Sequence, residues 1–354
     1  MMRVRFLRLG ATVLALLALG AVSCGGDDDE GASPSPSAPI GVEGDVETQK
    51  FGPPDAEFTM DGDTKVFELT AAPLTIRPRE DGQEVEAWGY NGQVPGPTIR
   101  VHTGDKFRLV FNNELPEHST IHPHGLIVPN AMDGVGGLTQ DPVLPGDSFT
   151  YEYTIPDTAG TFMYHAHMND LMQVRMGLYG AFIVEGDDEP KFDQERIVLL
   201  SDTEGEFMIN GRSFPDTEAW EVEPGQHIRA RLINISSVAS HPMHLHGHFM
   251  RIIARDGTLV SNAGQALVEN TIGMDVGQTA DVEVVMDNGP GTWIFHCHVL
   301  NHVMGPEPES ADITKANGGM VIAIQYVDEG ATRNAAPPPT ARQLIERGGA
   351  FVHH

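Results

Sequence analysis

The sequence predicts an all-β chain of sandwiches or barrels in which one β unit is written twice. Patterning is the first observation: from residue 56 to 327, short runs rich in Val, Ile, Thr and aromatics alternate with Gly, Pro, Asn and Asp. TIRVHTGDKFRLVFNN, SFTYEYTIP, HIRARLINIS and DVEVVMD are examples, and no long stretch keeps the period of a helix. Self-similarity is the second. YNGQVPGPTIRVHTGDKFRLVFNN (90–113) is echoed by INGRSFPDTEAWEVEPGQHIRARLIN (209–234), each an Asn-Gly turn, a Pro, and a Gly-led strand ending in Asn. HPHG (122–125) is echoed by HLHG (244–247), and GTFMYHAH (160–167) by GTWIFHCH (291–298). Length agrees: 354 residues hold two domains at roughly 100–200 residues each.

Taken in order, residues 1–24 read as an export signal, with the basic start MMRVRFLR, an apolar run from Leu9 to Val22, and small residues at Ser23-Cys24-Gly25-Gly26. That run is shorter than the ~20 apolar residues a spanning helix needs, so no integral membrane segment is expected. LGAVSC, ending at Cys24, resembles a bacterial lipobox, in which Cys24 would carry a lipid anchor; plain secretion is the other reading. The expected location is extracellular, periplasmic, or the cell surface as a lipoprotein. Residues 25–55, with GGDDDEGASPSPSAP, are too poor in apolar groups to offset ordering entropy and read as a disordered tether. Domain 1 then covers 56–187, a short linker 188–195, domain 2 196–327, and a Pro-rich C-terminal tail 328–354, ending in His353 and His354.

The formal charge of −28 excludes a nucleic-acid binder, which must neutralise phosphates with clustered Lys and Arg. It reads as a solvated surface, and the same field can steer cationic substrates. Only Cys24 and Cys297 are present, and Cys24 is either lipidated or removed, so no internal disulfide is expected. Cys297 is therefore an inert buried thiol or a metal ligand.

Histidines decide between these. Of 16, ten fall in four windows: His122 and His124; His165 and His167; His241, His244 and His246; His296, His298 and His302. A lone histidine is usually a surface or satisfied core residue, and His102, His118, His227 and His248 are read that way. His-x-His pairs at matching places in two repeats point to metal, since imidazole suits copper and zinc. On a strand, residues i and i+2 face one way and i+1 the other. His296 and His298 thus face out together, while Cys297 points back into its own domain.

The site inside the second domain would be Cys297, His302 and His241. Two imidazoles, a thiolate and a weak axial thioether favour a blue copper centre; Cys-x4-His lacks the paired-cysteine spacing of zinc modules. The axial sulfur is expected from Met320, at the Gly-to-strand start of NGGMVIAIQY, with Met304 as the alternative. Met168, Met172 and Met176 recur every four residues, either packing against a neighbour or forming a Cu(I)-handling row.

The joint pattern His-x-His, His-x-His, His-x-x-His-x-His and His-Cys-His-x3-His resembles the four copper motifs of multicopper oxidases of the two-domain, small-laccase type. The likeness covers about residues 85–327; HPMHLHGH and FHCHVLNH match nearly in full, while HPHG lacks the aromatic that many relatives place between the histidines. It implies two cupredoxin-like Greek-key domains in tandem, with copper as cofactor, four ions in all. Carried over by motif, the type 1 copper falls to His241, Cys297, His302 and the axial methionine in the second domain, the first domain having none. His122 and His244 match the type 2 ligands. His124, His165, His167, His246, His296 and His298 match those of the paired type 3 coppers. The resemblance also implies a ring-shaped homotrimer with the three-copper cluster between chains, a heterologous interface that closes.

The activity implied is laccase-like: four one-electron oxidations of a small donor, received through Cys297, coupled to reduction of O2 to two waters. Asp133, in NAMDGVGG, matches the family's acid near the type 2 copper and is the candidate proton donor; its other reading is an ordinary Asp-Gly turn. Asn301 stands where some relatives carry an acid before the last type 1 histidine. Phenols or aromatic amines are the expected donors; oxidation of Cu(I), Mn(II) or Fe(II) is the alternative. A copper nitrite reductase would keep its cysteine site in the first repeat, and a non-catalytic copper carrier would not need the cluster histidines. By the repeat alignment, Ala166, Ser119 and Leu171 stand in the first domain where Cys297, His241 and His302 stand in the second.

Overall fold

A computed structural model describes residues 40–44, 46–260, 267–330 and 338–347. The expected export signal, Cys24, His353 and His354 lie outside the described residues.

Each repeat folds into two facing sheets, and the strand order is the same in both. In the first, Phe58–Asp61, Thr64–Ile76, Lys106–Asn113 and Ser148–Thr154 form one sheet, and Ile99–His102, Tyr179–Glu185, Gly160–Ala166 and Ile121–His124 the other. In the second, Gln194–Thr203, His227–Asn234 and Thr279–Val285 take the places of the first sheet's last three strands. Trp220–Val222, Val321–Tyr326, Thr292–Cys297 and His241–Leu245 repeat the other sheet. Pair directions match too: Thr64–Ile76 runs parallel to Lys106–Asn113, as Gln194–Thr203 does to His227–Asn234.

Alternation decides which face is core. Along Lys106–Asn113, Phe107, Leu109 and Phe111 are buried while the residues between them are partly open. Its counterpart His227–Asn234 is buried on both faces, because its outer face packs on the first repeat. Met163, Tyr179, Ala181 and Ile183 of the first repeat share a buried cluster with Ile197, Leu199, Ile233 and Ile235 of the second. Beside it lies a buried ionic network. Arg231 donates to Glu195 at 2.8 Å and to the Thr161 hydroxyl at 2.8 Å, and Arg100 donates to Glu195 at 3.0 Å. Burial pushes the Glu195 carboxyl up, but Arg231, Arg100 and Arg229 outweigh it and hold it at about 2.

One terminal expectation needs correction, and the other terminus gains an element. The tether does not stay disordered to residue 55: Gln49–Phe51 pairs in parallel with Gln194, Glu195 and Arg196. The Phe51 ring lies 3.6 Å from the Arg196 guanidinium. Pairing with an open sheet edge uses backbone groups, which composition does not register. The C-terminal tail carries a helix, Ala341–Glu346, opened by a capping box from Thr340 and Gln343. Its Ala341 and Leu344 pack with Phe214, Ala219, Val321 and Ala323.

Candidate metal centres

His241–Leu245 and Thr292–Cys297 are neighbouring antiparallel strands in register Met243↔Cys297, with Val321–Tyr326 on the other side of Thr292–Cys297. Strand alternation turns Cys297 into the core of the second repeat, where it is fully buried. The 3-10 turn Leu300–His302 brings His302 back beside it. Cys297 Sγ lies 3.5 Å from His241 Nδ1 and 3.5 Å from His302 Nδ1, and the two nitrogens are 3.1 Å apart. A triangle of that size has its centre about 2 Å from each corner, the distance at which imidazole and thiolate bind a metal. The donor set therefore fits a copper ion.

Burial pushes the Cys297 thiol up to about 11 and holds His241 down to about 4, with His302 adding to the latter. The imidazoles are thus neutral, with lone pairs free, and the thiol ionises only against a cation. Ser236 Oγ is 2.6 Å from His241 Nε2, which leaves Nδ1 facing Cys297. Phe207 stacks on His302 with centroids 3.8 Å apart and rings inclined by 23°. Sequence reading missed both, and neither sits in a recognisable motif.

The two methionines separate clearly. Met320 is fully buried, accepts from Cys297 N at 3.1 Å, and donates to the His302 carbonyl at 3.0 Å. Met304 is 54% exposed and lines an open cavity beside His302. That cavity, about 550 Å³, also takes Arg79, Asp81, Glu206, Phe207 and Asn301 into its lining.

The other eight histidines form two matching sets. His122, His124, His165 and His167 have ring centroids 5.3–6.0 Å apart. In the second repeat, His244, His246, His296 and His298 are 4.8–5.7 Å apart. Among the described residues, ring contacts run within each set and none joins the two. His124 Nδ1 is 3.2 Å from His165 Nε2, and His246 Nε2 is 3.1 Å from His296 Nε2, spacings one metal ion can bridge.

Second contacts orient the rings. His122 Nδ1 donates to the Asp133 carbonyl at 2.6 Å, and His244 Nδ1 lies 2.9 Å from the Asn270 carbonyl. His165 Nδ1 and His296 Nδ1 donate to the carbonyls of Ala166 and Cys297 at 2.9 and 2.8 Å. In all four, Nε2 remains for a metal. Burial above all holds His165 at about 3 and His296 at about 4, so both stay neutral. Asp133 also brings Oδ1 to 3.5 Å from His122 Nδ1. Gly134 has φ +80°, and a Cβ there would meet the Ile121 carbonyl at 1.9 Å, so the Asp-Gly turn packs directly on the strand carrying His122.

The three first-repeat counterparts behave differently from one another. Ala166 is buried in the place of Cys297. Ser119 Oγ donates to Gln173 Oε1 at 2.8 Å, both side chains buried. Leu171, aligned with His302, is exposed instead; Gln173 fills the space opposite Ser119, because a helix, Asp170–Met176, replaces the 3-10 turn. The methionine row does not share one surface: Met176 packs on the core, Met168 lies against Gly136, and Met172 is exposed. His227 pairs with Glu283 at 2.8 Å and His248 with the Tyr326 hydroxyl at 2.7 Å, as satisfied non-ligand histidines do.

Comparison with known proteins agrees with this geometry. Two family models, both described as multicopper oxidase, match residues 74–189 and 190–305. The solved blue copper oxidase from Nitrosomonas europaea is 31% identical, covers 74% of this chain and 85% of its own, and superposes with a TM-score of 0.66. A probable nitrite reductase-hydroxylamine oxidoreductase fusion protein of Kuenenia stuttgartiensis is 34% identical over 76% of this chain and 32% of its own. Laccase-1 of Cryptococcus neoformans var. grubii is 32% identical over 55% of this chain and 40% of its own. The chain thus spans about a third to two fifths of these two curated relatives. Two cupredoxin domains in tandem, with a cysteine-histidine triangle in the second and a histidine set in each, make this chain a member of the multicopper oxidase family.

Proposed function

We propose that the protein is a laccase-like oxidase that couples four one-electron oxidations of a small donor, a phenol or aromatic amine, to reduction of O2 to two waters. The observation that carries it is the continuity of Cys297 with both kinds of site. Its sulfur completes the buried triangle with His241 and His302, while its chain neighbours His296 and His298 belong to the second histidine set. Copper, four ions, would supply the one-electron storage that joins a one-electron donor to a four-electron acceptor. His241, Cys297, His302 and axial Met320 would hold type 1, His122 and His244 type 2, and His124, His165, His167, His246, His296 and His298 the type 3 pair.

The residues' own tasks follow. His302, only 7% exposed and faced by Phe207, meets the cavity in which a donor ring would lie. The peptide bonds on either side of Cys297 give a covalent path to the second set. Asp133, its carboxylate partly open and 3.5 Å from His122, is positioned to hand protons toward the type 2 ligand.

Each histidine set is half of a cluster, so we read the assembly as a homotrimer that brings the first set of one chain to the second set of the next. Exposed Ile127, Leu138, Leu171 and Met172 in the first repeat, and Val238, Leu267 and Leu300 in the second, are apolar surface suited to such contacts. The domains are taken as 56–187 and 196–327, and export, with or without a lipid on Cys24, as the route out. Among the described residues, no helix is long and apolar enough to cross a membrane.

One observation favours a second reading. Asp81 and Glu206 line the cavity at His302, and carboxylates there suit Fe(II) or Mn(II) as donor, while the Met304 thioether in the same lining suits Cu(I). Copper content, the visible spectrum and O2 uptake with a phenol, Fe(II), Mn(II) and Cu(I) test both. Four coppers per chain and a blue band with phenol turnover are expected; uptake with metal ions alone moves the assignment to a metal oxidase, and no blue band overturns it.

A further inference from the structure

We propose that the C-terminal helix Ala341–Glu346 braces the donor cavity, with Arg342 as a positioning residue for the loop 78–83 that walls it. The proposal rests on reading the cavity at His302 as the donor site. Pro78, Arg79, Asp81, Gly82 and Gln83 come from the first repeat, yet the cavity's other lining residues belong to the second. Something must hold that loop across the boundary, and the hydrogen bonds show what does.

Arg342 Nε donates to Asp216 Oδ1 at 2.6 Å, while Nη2 reaches Asp216 Oδ2 at 3.0 Å and Asp81 Oδ1 at 3.2 Å. Asp216 Oδ2 also accepts the Glu80 N–H at 2.7 Å. Asp81 is gripped from its other side by Arg79, at 3.1 and 3.2 Å. Arg79 in turn donates to the carbonyls of Phe214 at 2.6 Å, Asn317 at 3.2 Å and Thr314 at 3.1 Å. One carboxylate thus stands between two guanidiniums, and a planar fork fixes its partners' orientation as an ammonium does not.

The helix has only six residues and cannot hold itself. Buried Ala341 and Leu344, and hydrogen bonds from the Ala341 and Arg342 N–H groups to Thr217 and Pro215, dock it beside Asp216. Arg342 is absent from the cavity lining. It acts through Asp81 and Asp216, which makes the tail a determinant of donor fit without touching donor.

The test is hydrogen–deuterium exchange on the full copper-loaded chain, paired with phenol steady-state kinetics, for wild type, Arg342→Ala, Arg342→Lys and Leu344→Ala. In Arg342→Ala, faster exchange over residues 79–83 is expected, with KM raised roughly two- to fivefold, as loss of partly exposed ion pairs allows. Saturated kcat and the blue band stay at wild-type values, and Arg342→Lys lies between. Leu344→Ala loosens the helix from its apolar side, so it reaches the same loop if Arg342→Ala does not fold. Faster exchange in the helix with unchanged exchange over 79–83 in both Arg342→Ala and Leu344→Ala overturns the brace. A wild-type protein that oxidises no phenol removes the donor-site reading instead, and the exchange data then decide the brace alone.

Discussion

The triangle at Cys297 and its twin at Ala166 occupy the same corner of the same fold, yet one is built for a metal and the other is closed. In the second repeat, His241, Cys297 and His302 converge with sides of 3.1–3.5 Å. In the first, the corner is filled by an alanine and a Ser119–Gln173 hydrogen bond. The outward histidines, by contrast, are duplicated: His165 and His296 each donate Nδ1 to the next residue's carbonyl. The two repeats thus match on the strand face that carries the outward histidines and differ on the face that meets the core. The donor cavity at His302 lies beside the second repeat's corner.

Substitution at the cysteine strikes this contrast hardest. Cys297→Ser makes the second corner resemble the first: the blue band should vanish and donor-driven O2 uptake with it, while the outward histidine sets still bind copper. Metal analysis giving three coppers per chain instead of four checks it. A blue band that survives the substitution assigns the thiolate elsewhere.

Ser236→Ala tests the support of the triangle and should cost less. The hydroxyl holds His241 Nε2 at 2.6 Å and so leaves Nδ1 facing the corner that would hold the metal. Loss of such a support typically lowers metal affinity or activity by about 10–100-fold. Competition with a chelator measures it, and affinity equal to wild type would show that packing alone orients the ring.

Titration also separates the corners. His241 protonates near 6.5 in the unfolded chain but only at about 4 in the metal-free fold, burial being the main cause and His302 the second. Between those pH values the unfolded state binds more protons, so stability falls as pH drops from about 6.5 toward 4, by about 1.4 kcal/mol per unit of difference. Ser119 and Gln173 have nothing to titrate, so the first corner contributes no such slope. Denaturation of copper-free protein at pH 7 and pH 5 should show the loss, and His241→Asn should make it smaller, with His165 and His296 keeping their share. An equal slope in wild type and His241→Asn rejects the assignment.

What could be read from the chain itself divides along the same line. The histidine windows were legible because ligand spacing on a strand copies its period of two, so His-x-His states both identity and direction. The repeat supplied the topology, since matching motifs fold into matching sheet positions. Phe207 and Ser236 were not legible: they reach His302 and His241 through hairpins and loops whose course no motif encodes. Leu171 illustrates a subtler failure. Equal spacing from Ala166 and Cys297 aligns it with His302, but the first repeat continues as a helix there, and a helix advances only about 1.5 Å per residue. Two residues further on, Gln173 therefore reaches the corner that Leu171 was expected to occupy. The strand at Gln49–Phe51 and the helix at Ala341–Glu346 escaped for a related reason, because docking on a finished surface needs few apolar residues of its own.

The smallest effect comes from attempting to restore the first corner. Ala166→Cys supplies a thiol at the position equivalent to Cys297, on a strand in the same register to its neighbour, Ile121↔Ala166 beside Met243↔Cys297. No new blue band should appear. Ser119 and Gln173 present a hydroxyl and an amide already hydrogen-bonded to each other, and neither offers the imidazole nitrogen that a thiolate-copper site requires. The added sulfur enters a fully buried position in a packed core, so a loss of about 1–3 kcal/mol is expected, read as a lower denaturation midpoint. The His122 set on the outward face should keep its copper, because Ala166 points away from it along the strand. A second blue band in Ala166→Cys would mean that thiolate position alone specifies the centre, and the His241–His302 pair would lose its place in the argument.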